Sequence, residues 1–387
     1  MGSAVVLNPG TAGIGIIHAL SRGNVEIVTV GRKWPPLLGR FSRFPKRHVV
    51  YDPRRGESLV GRLLALADEL DGRGVLFPAI DVDLEQLVVH REVLAARYHV
   101  PVAPHIGLEI FDKSWHYELA ARTGVPTPRH VVFAGGESPD VGGFRFPLIV
   151  KPAARTAASG GRAFRLRVLR DRGELERALV EIGSEHAGRR FQLAEDIPGE
   201  PDQLYTIGSY SNRDGRVLRS YTGRKLSQHP YTHGDASVAE SIRAPDVVVR
   251  HARVLLEEAR FHGISQVEFK HDARDGLYKL LEINGRSWSW IKLPAVSGVN
   301  LPLIQYYDLT GDPRLAEALA AEQDDGKFFV RDQLVRLNDL PAERRRIEEM
   351  GRQKTLVPAV FYDGELRLKL AYHVASALMR WRGGEPV

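Results

Sequence analysis

Residues 267–286 read VEFKHDARDGLYKLLEINGR. Two apolar-rich runs flank Asp275-Gly276, a dipeptide suited to a tight hairpin turn. Along the second run, period-two alternation puts Glu282 and Asn284 on one face, and across the hairpin Glu268 can lie opposite them. Two carboxylates and an amide oxygen on one sheet face suit Mg²⁺, which takes oxygen ligands and shares the rest of its shell with water and phosphate. Arg286 continues the alternation and can meet phosphate or carboxylate in bidentate fashion. A solvated ladder of charges is the competing reading. It fits poorly, because the acids sit inside apolar runs (SQVEF, KLLEIN) and buried carboxylates require cations.

Upstream, Lys113 opens a helix, Lys151 ends the strand-like PLIVKP, and Lys225 lies in TGRKL. Between the first two and the third runs AARTAASGGRAF, Ala153 to Phe164, whose small residues and paired glycines can fold over phosphates with backbone N–H groups inward. Each feature has an ordinary alternative, a flexible glycine hairpin or a solvated lysine. Their order along one chain is the specific part.

The surrounding sequence supplies the frame. The first hundred residues alternate strand and helix: AVVLN, AGIGIIHALSR, VEIVTVG, GESLVGRLLALADEL, GVLFPAI, DLEQLVVHREVLAARY. Such alternation predicts a parallel sheet with covering helices. A proline-marked junction follows near residue 105. Beyond it the pattern turns to antiparallel strands with few helices, an α+β region with a strand pair turning at Asp214-Gly215. Residues 366–382 form an amphipathic basic helix, expected to pack on its own domain.

The first glycine loop, NPGTAGIG at residues 8–15, sits between a strand and a helix, where many proteins hold a nucleotide phosphate. Its spacing is G-x-x-G-x-G, not G-x-G-x-x-G, and no acid closes the second strand. Arg32 keeps an NADP-type reading open; a tight turn for close packing is the alternative.

The chain has 387 residues, 43% hydrophobic, with a net charge of +6 and no cysteine. Disulfides, thiolate catalysis and cysteine-held metals are excluded, and a reducing cytosol is the expected home. No apolar run reaches the ~18 residues needed to span a bilayer, and the start lacks a signal-peptide pattern. The densest basic stretch, Arg32 to His48, reads as a solvated loop or anionic-substrate patch before it reads as a nucleic-acid surface. His229, His233 and Asp235 in HPYTHGD invite a metal reading, but Pro230 and Gly234 break any helix that would align them. A substrate-facing loop is expected there. Trp288 and Trp290 can line a pocket or pack in the sheet core.

Taken as a series, DK…GVPTP…VKP…SGG…AEDIPGE…GRKL…EF…LLEIN resembles the ATP-grasp superfamily over roughly residues 1–310, in particular the carboxylate–amine ligases such as D-alanine–D-alanine ligase and D-aspartate ligase-like proteins. The resemblance implies a pre-ATP-grasp βαβ domain over 1–105, a two-lobed ATP-grasp domain over 106–310 (lobes about 106–195 and 196–310), and a C-terminal segment, 311–387, of no assigned role. It further implies ATP and Mg²⁺. Lys113 and Lys151 match the lysines that meet ATP phosphates, and Thr156, Ser159, Gly160 and Gly161 the loop that closes over them. Glu195 and the backbone at Ile197 match the adenine-reading hinge. Asp202 matches the ribose ligand, with Glu200 as the alternative. Lys225 matches the β,γ-phosphate grip, Glu268, Glu282 and Asn284 the metal ligands, and Arg286 the acyl-phosphate support. Arg224, Arg243 and Arg286 are candidates for a substrate carboxylate. Gly285 stands where many relatives carry proline. The implied activity is amide or peptide bond formation through an acyl phosphate, joining a small carboxylate to an amine, with amino acids or small peptides as default substrates. A homo-oligomer is possible, and neither nucleic acid nor membrane insertion is expected. An ATP-grasp kinase is the first alternative; an NADP-dependent reductase or a non-catalytic nucleotide-binding protein stands further off. On this reading NPGTAGIG cradles a substrate group or merely turns the chain.

Overall fold

The computed structural model describes residues 2–34, 37–154, 164, 166–231, 233–360 and 364–381. Its first sheet contains β1 (Ala4–Leu7), β2 (Ile27–Arg32), β3 (Arg47–Tyr51), β4 (Gly74–Phe77) and β5 (Tyr98–His99), all parallel, in the order β3-β2-β1-β4-β5. Helices α1 (Thr11–Ser21), α2 (Leu59–Ala67), α3 (Asp81–Val89) and α4 (Arg91–Ala95) connect and cover these strands. β1 and β4 are buried along their whole length, as strands covered on both faces must be. The strand order reverses between β1 and β4, so the carboxyl ends of these strands open a crevice of the kind where α/β sheets take ligands.

Two of the five strands are absent from the sequence reading. β3 begins at the end of the basic stretch read as a loop and runs past it, and β5 begins where a helix was expected to end. β3 is an edge strand with one fully buried residue, Val49, so it carries almost no hydrophobic signal.

The second sheet is antiparallel, β6 (His130–Ala134), β7 (Leu148–Pro152), β8 (Arg167–Leu169) and β9 (Arg190–Glu195), in the order β6-β9-β7-β8. Helices α5 (Lys113–Thr123) and α6 (Arg172–Glu185) accompany it. α5 is capped by Asp112 and stops at Gly124, whose φ of 68° is the left-handed conformation that glycine adopts without penalty. Phe133, Leu148, Val150, Phe191 and Leu193 pack with α6 into a core of their own.

The third sheet has seven strands: β10 (Leu204–Ser211), β11 (Val217–His229), β12 (Asp235–Ser241), β13 (Gly263–Asp272), β14 (Leu277–Asn284), β15 (Lys327–Val330) and β16 (Thr355–Pro358). Their order is β14-β13-β10-β11-β12-β15-β16, antiparallel except for the last pair. Around it lie α7 (Asp246–Glu258), α8 (Lys292–Val296), α9 (Leu301–Thr310), α10 (Leu315–Ala320), α11 (Asp332–Asn338), α12 (Pro341–Gln353) and α13 (Leu366–Trp381). The stretch 223–235 is mostly strand, β11 ending at His229 and β12 beginning at Asp235. The C-terminal segment extends this sheet through β15 and β16. It also returns to the first domain: buried Glu365 accepts from Ser42 Oγ (2.5 Å) and pairs with His18 Nε2 (2.7 Å).

One apolar core runs from the first sheet (Val5, Leu7) into the large one (Ile207, Val267, Leu280), and a second joins Ile14 and Ile17 to Trp290, Phe329 and Leu368. Gly15 permits that second contact, since a Cβ there would lie 2.8 Å from Ile291 Cγ2. The glycines of the opening loop therefore serve packing, at least in part.

Candidate active site

An open cleft of about 2030 Å³ runs between the three sheets. Pockets for one drug-sized ligand occupy about 300–1,000 Å³, so this cleft has room for a nucleotide and further small molecules.

The hairpin that opened the sequence reading forms one wall. β13 and β14 pair Gln266 with Asn284 and Glu268 with Glu282, so all four side chains share a face. Each carboxylate meets a lysine from a different element. Glu268 Oε1 lies 2.9 Å from Lys225 Nζ of β11, and Glu282 Oε2 lies 3.0 Å from Lys113 Nζ at the start of α5. Lys151 projects into the same cleft from β7, where alternation turns Leu148 and Val150 into the core. Lys113, and then Lys151, hold the Glu282 carboxyl well below the usual range. Burial pushes Glu268 up, and Lys225 opposes the shift. Asn284 Nδ2 donates to Glu282 Oε1 (3.1 Å) and to Gln266 Oε1 (3.3 Å). Rotating that amide by half a turn would offer Oδ1 on the same face. Arg286, just beyond β14, reaches the cleft and is held by Asp81 at 2.5 Å. Among the described residues, no group of three or more His, Asp or Glu side chains is arranged to hold a metal, so a cation here would rely on the two carboxylates and the amides.

Behind Lys113 lies buried His116. Its Nε2 donates to Ile110 O (2.9 Å), and its Nδ1 accepts from Ile283 N (3.4 Å), an arrangement that needs the neutral ring. Burial, and then Lys113, lower its pKa from 6.5 to about 4. As pH falls, the unfolded chain takes up this proton first. Stability from His116 is therefore complete above about pH 6.5 and is lost as pH falls toward 4, by at most about 3 kcal/mol. Urea midpoints at pH 7 and 4.5 should converge less for wild type than for His116→Gln relative to their own pH 7 values; equal acid losses in the two proteins would refute the assignment.

The opposite end of the cleft is lined by residues at or just beyond the carboxyl ends of the first-sheet strands: Asn8, Gly10, Thr11, Arg32, Tyr51 and Ile80. Asn8 has φ 37° and ties the strand ends together. Its Nδ2 donates to Asp83 Oδ1 (2.5 Å), while its Oδ1 accepts from Arg32 N (3.3 Å) and Tyr51 Oη (3.4 Å). Burial raises the Asp83 carboxyl to about 6.

Several expected residues are engaged by partners within the protein or lie off the cleft. Glu195 turns its carboxylate to Arg145, accepting from Arg145 N (3.0 Å) and Nε (3.3 Å), which leaves only its backbone for an adenine edge. The Ile197 carbonyl accepts from Lys270 Nζ (2.6 Å), which also clamps Gly199 O. Asp202 sits in a 3₁₀ turn and points to Arg346 (3.2 Å), off the cleft wall, whereas Glu200 lines the cleft and accepts from Tyr231 Oη (2.6 Å). The alternative ribose ligand is thus the better placed. Arg224 neighbours Lys225 on one strand and so faces the other side of the sheet, paired with Glu240 at 2.6 Å. Arg243 is exposed on the loop after β12. Neither arginine lines the cleft. His229 Nδ1 bonds Asn338 Oδ1 (2.7 Å), and His233 Nε2 bonds Asp196 Oδ1 (3.3 Å), so the two histidines serve different partners. Trp288 and Trp290 are both buried core residues in edge contact, and Trp288 also touches the cleft. Thr156, Ser159, Gly160 and Gly161 fall outside the described residues. Sequence reading missed Lys270 and Arg331, both on the cleft; Lys270 stands within the quoted hairpin beside the acids, and Arg331 stands in no motif.

No family model matches the chain. The chain is 24% identical over 317 residues to a D-aspartate ligase of Enterococcus faecium (strain Aus0004), covering 74% of this chain and 71% of that protein. Its fold is similar to a biotin carboxylase from Campylobacter jejuni solved as a β,γ-ATP complex (TM-score 0.61, 18% identity, 80% and 71% of the two chains). It is also similar to an L-amino acid ligase from Bacillus licheniformis (TM-score 0.56, 16% identity, 84% and 75%). The parallel sheet followed by two largely antiparallel sheets around one cleft is the ATP-grasp fold, and in sequence and fold the chain is similar to carboxylate–amine ligases.

Proposed function

We propose that the protein is an ADP-forming ligase that joins a small carboxylic acid to an amine through an acyl phosphate. The observation that carries this reading is the pairing of Glu268 and Glu282 across one hairpin, each neutralised by a lysine from a separate element, in a cleft large enough for ATP and two substrates. Glu268, Glu282 and Asn284 supply hard oxygen donors that fit Mg²⁺, which when bound offsets phosphate charge and polarises the transferring phosphoryl group. Lys113, Lys151 and Lys225 hold the phosphates and balance charge during in-line transfer. The backbone from Glu195 to Ile197 faces the adenine and Glu200 the ribose.

In the first step an oxygen of the acid's carboxylate bonds to the γ-phosphorus, and ADP leaves with the electron pair of the broken P–O bond. In the second, the neutral amine attacks the acyl carbon, phosphate leaves with the pair of the C–O bond, and the proton lost from the nitrogen passes to the departing phosphate or to water. Arg286, oriented by Asp81, supports the acyl group's developing charge. The domain limits follow the same reading: 1–105, 106–310 in two lobes, and 311–387 as an extension of the second lobe's sheet. With no cysteine to protect and no described helix long and apolar enough to cross a membrane, we place the reaction in the cytosol.

Hydroxylamine tests the proposal. Protein, Mg²⁺, ATP and pooled carboxylic acids should yield a hydroxamate together with ADP. AMP in place of ADP would mean adenylation, and a phosphorylated product with no hydroxamate would mean a kinase.

A further inference from the structure

Helix α13 buries only one of its sides. Leu368 and Tyr372 enter the core shared with Ile14 and Trp290, while Leu366, Leu370 and Val374 stand 79%, 67% and 51% exposed. These three are spaced four residues apart, so they form one aliphatic stripe along the outer side of the helix. At about 100° per residue, Arg367 and Lys369 fall on either side of the stripe, and both are exposed. The solvent side of a surface helix ordinarily carries polar residues instead.

The helix is anchored, not a loose end. Glu365, one residue before it, is buried; it accepts from Ser42 Oγ and from Arg43 N (3.1 Å) and pairs with His18. α13 also packs against the 3₁₀ turn Leu38–Phe41, and the Arg43 guanidinium lies against Gly364. The turn and the residues after it add Arg40, Phe41 and Arg43, all exposed. Two segments far apart in sequence thus build one surface of aliphatic, aromatic and cationic side chains. Neither residues 32–48 nor residues 366–382 contain an aspartate or glutamate.

That composition selects the partner. Nucleic acid would satisfy the cations but leave the aliphatic stripe in water. A second copy of the chain, docked about a twofold axis, would cover the stripe but set Arg367 and Lys369 of each copy against those of the other, with no acid in either segment to pair them. An anionic lipid surface meets both demands, since it takes aliphatic side chains among its headgroups and cations against its phosphates. We propose that α13 and the adjoining 3₁₀ turn attach the protein to the surface of an anionic bilayer. The helix lies in the plane of the headgroups and does not cross the membrane. This attachment is independent of the chemistry in the cleft.

Vesicle flotation tests it. The full chain should float with vesicles of equal parts phosphatidylglycerol and phosphatidylcholine, and bind phosphatidylcholine alone at least about tenfold more weakly. Raising NaCl to about 0.5 M should release most of the bound protein. Leu366→Gln/Leu370→Gln should lower the partition coefficient at least about tenfold, and Arg367→Gln/Lys369→Gln should do the same. All four side chains are exposed, so thermal melts of both variants should match wild type.

Wild type that stays off anionic vesicles, binds phosphatidylcholine equally well, or binds no better than either variant would overturn the proposal. Two other results would overturn it by naming a different occupant. One is a wild-type dimer in sedimentation equilibrium that Leu366→Gln/Leu370→Gln converts to a monomer, which gives the stripe to a second copy. The other is tighter binding to a DNA duplex than to the anionic vesicles.

Discussion

Glu282→Ala is expected to leave a folded protein that forms ADP at least about 10³-fold more slowly than wild type with its acid and amine present. Glu282 is half-buried, and its carboxylate meets Lys113 and Asn284 across the cleft, so its removal opens no apolar core. The loss falls on the reaction. The variant keeps Glu268 but loses the second carboxylate of the proposed metal face, and Lys113 and Lys151 are released from the anion that aligns them. Single-turnover ADP release, with a thermal melt as the folding control, checks it. Wild-type turnover by a folded Glu282→Ala protein would remove the hairpin from the mechanism.

Lys225→Ala is expected to act on the fold as well as on turnover. Lys225 and Glu268 are each 9% exposed, and burial already works against the Glu268 carboxylate. Removing the lysine alone strands a buried acid, which typically costs about 3–5 kcal/mol. The double variant Lys225→Met/Glu268→Leu replaces both charges by apolar groups of similar size and should regain most of that loss while remaining inactive. Urea midpoints of the two single variants and the double variant measure the coupling. A Lys225→Ala protein as stable as wild type would mean that the pair is solvated and contributes little.

The shared face of Glu268, Glu282 and Asn284 was legible because its information is local. Alternation in KLLEIN puts Glu282 and Asn284 together, Asp275-Gly276 folds Glu268 across from them, and acids within apolar runs demand cations. The capped helix from Lys113 to Gly124 and the buried parallel strands β1 and β4 were readable for the same reason. Edge strand β3 was not, because its residues bury little.

Choices between neighbours proved harder. Arg224 and Lys225 share a strand and must face opposite ways, but only the position of β11 beside β10 and β12 decides which one meets Glu268. Asp202 and Glu200 are two residues apart, and the 3₁₀ turn between them sends the first to Arg346 and the second to the cleft. Arg331 belongs to no motif at all. It reaches Asp235 because β15 adds to β12 in a sheet whose other strands lie far away in sequence.

By itself, then, the sequence determined the elements and the chemistry carried on single strands and helix ends, since periodicity, capping and turn preference act over a few residues. Tertiary structure alone decided which lysine neutralises which acid and which arginines enter the cleft. Those pairings depend on charges brought within about 4 Å of one another, from segments that only the completed sheets make adjacent.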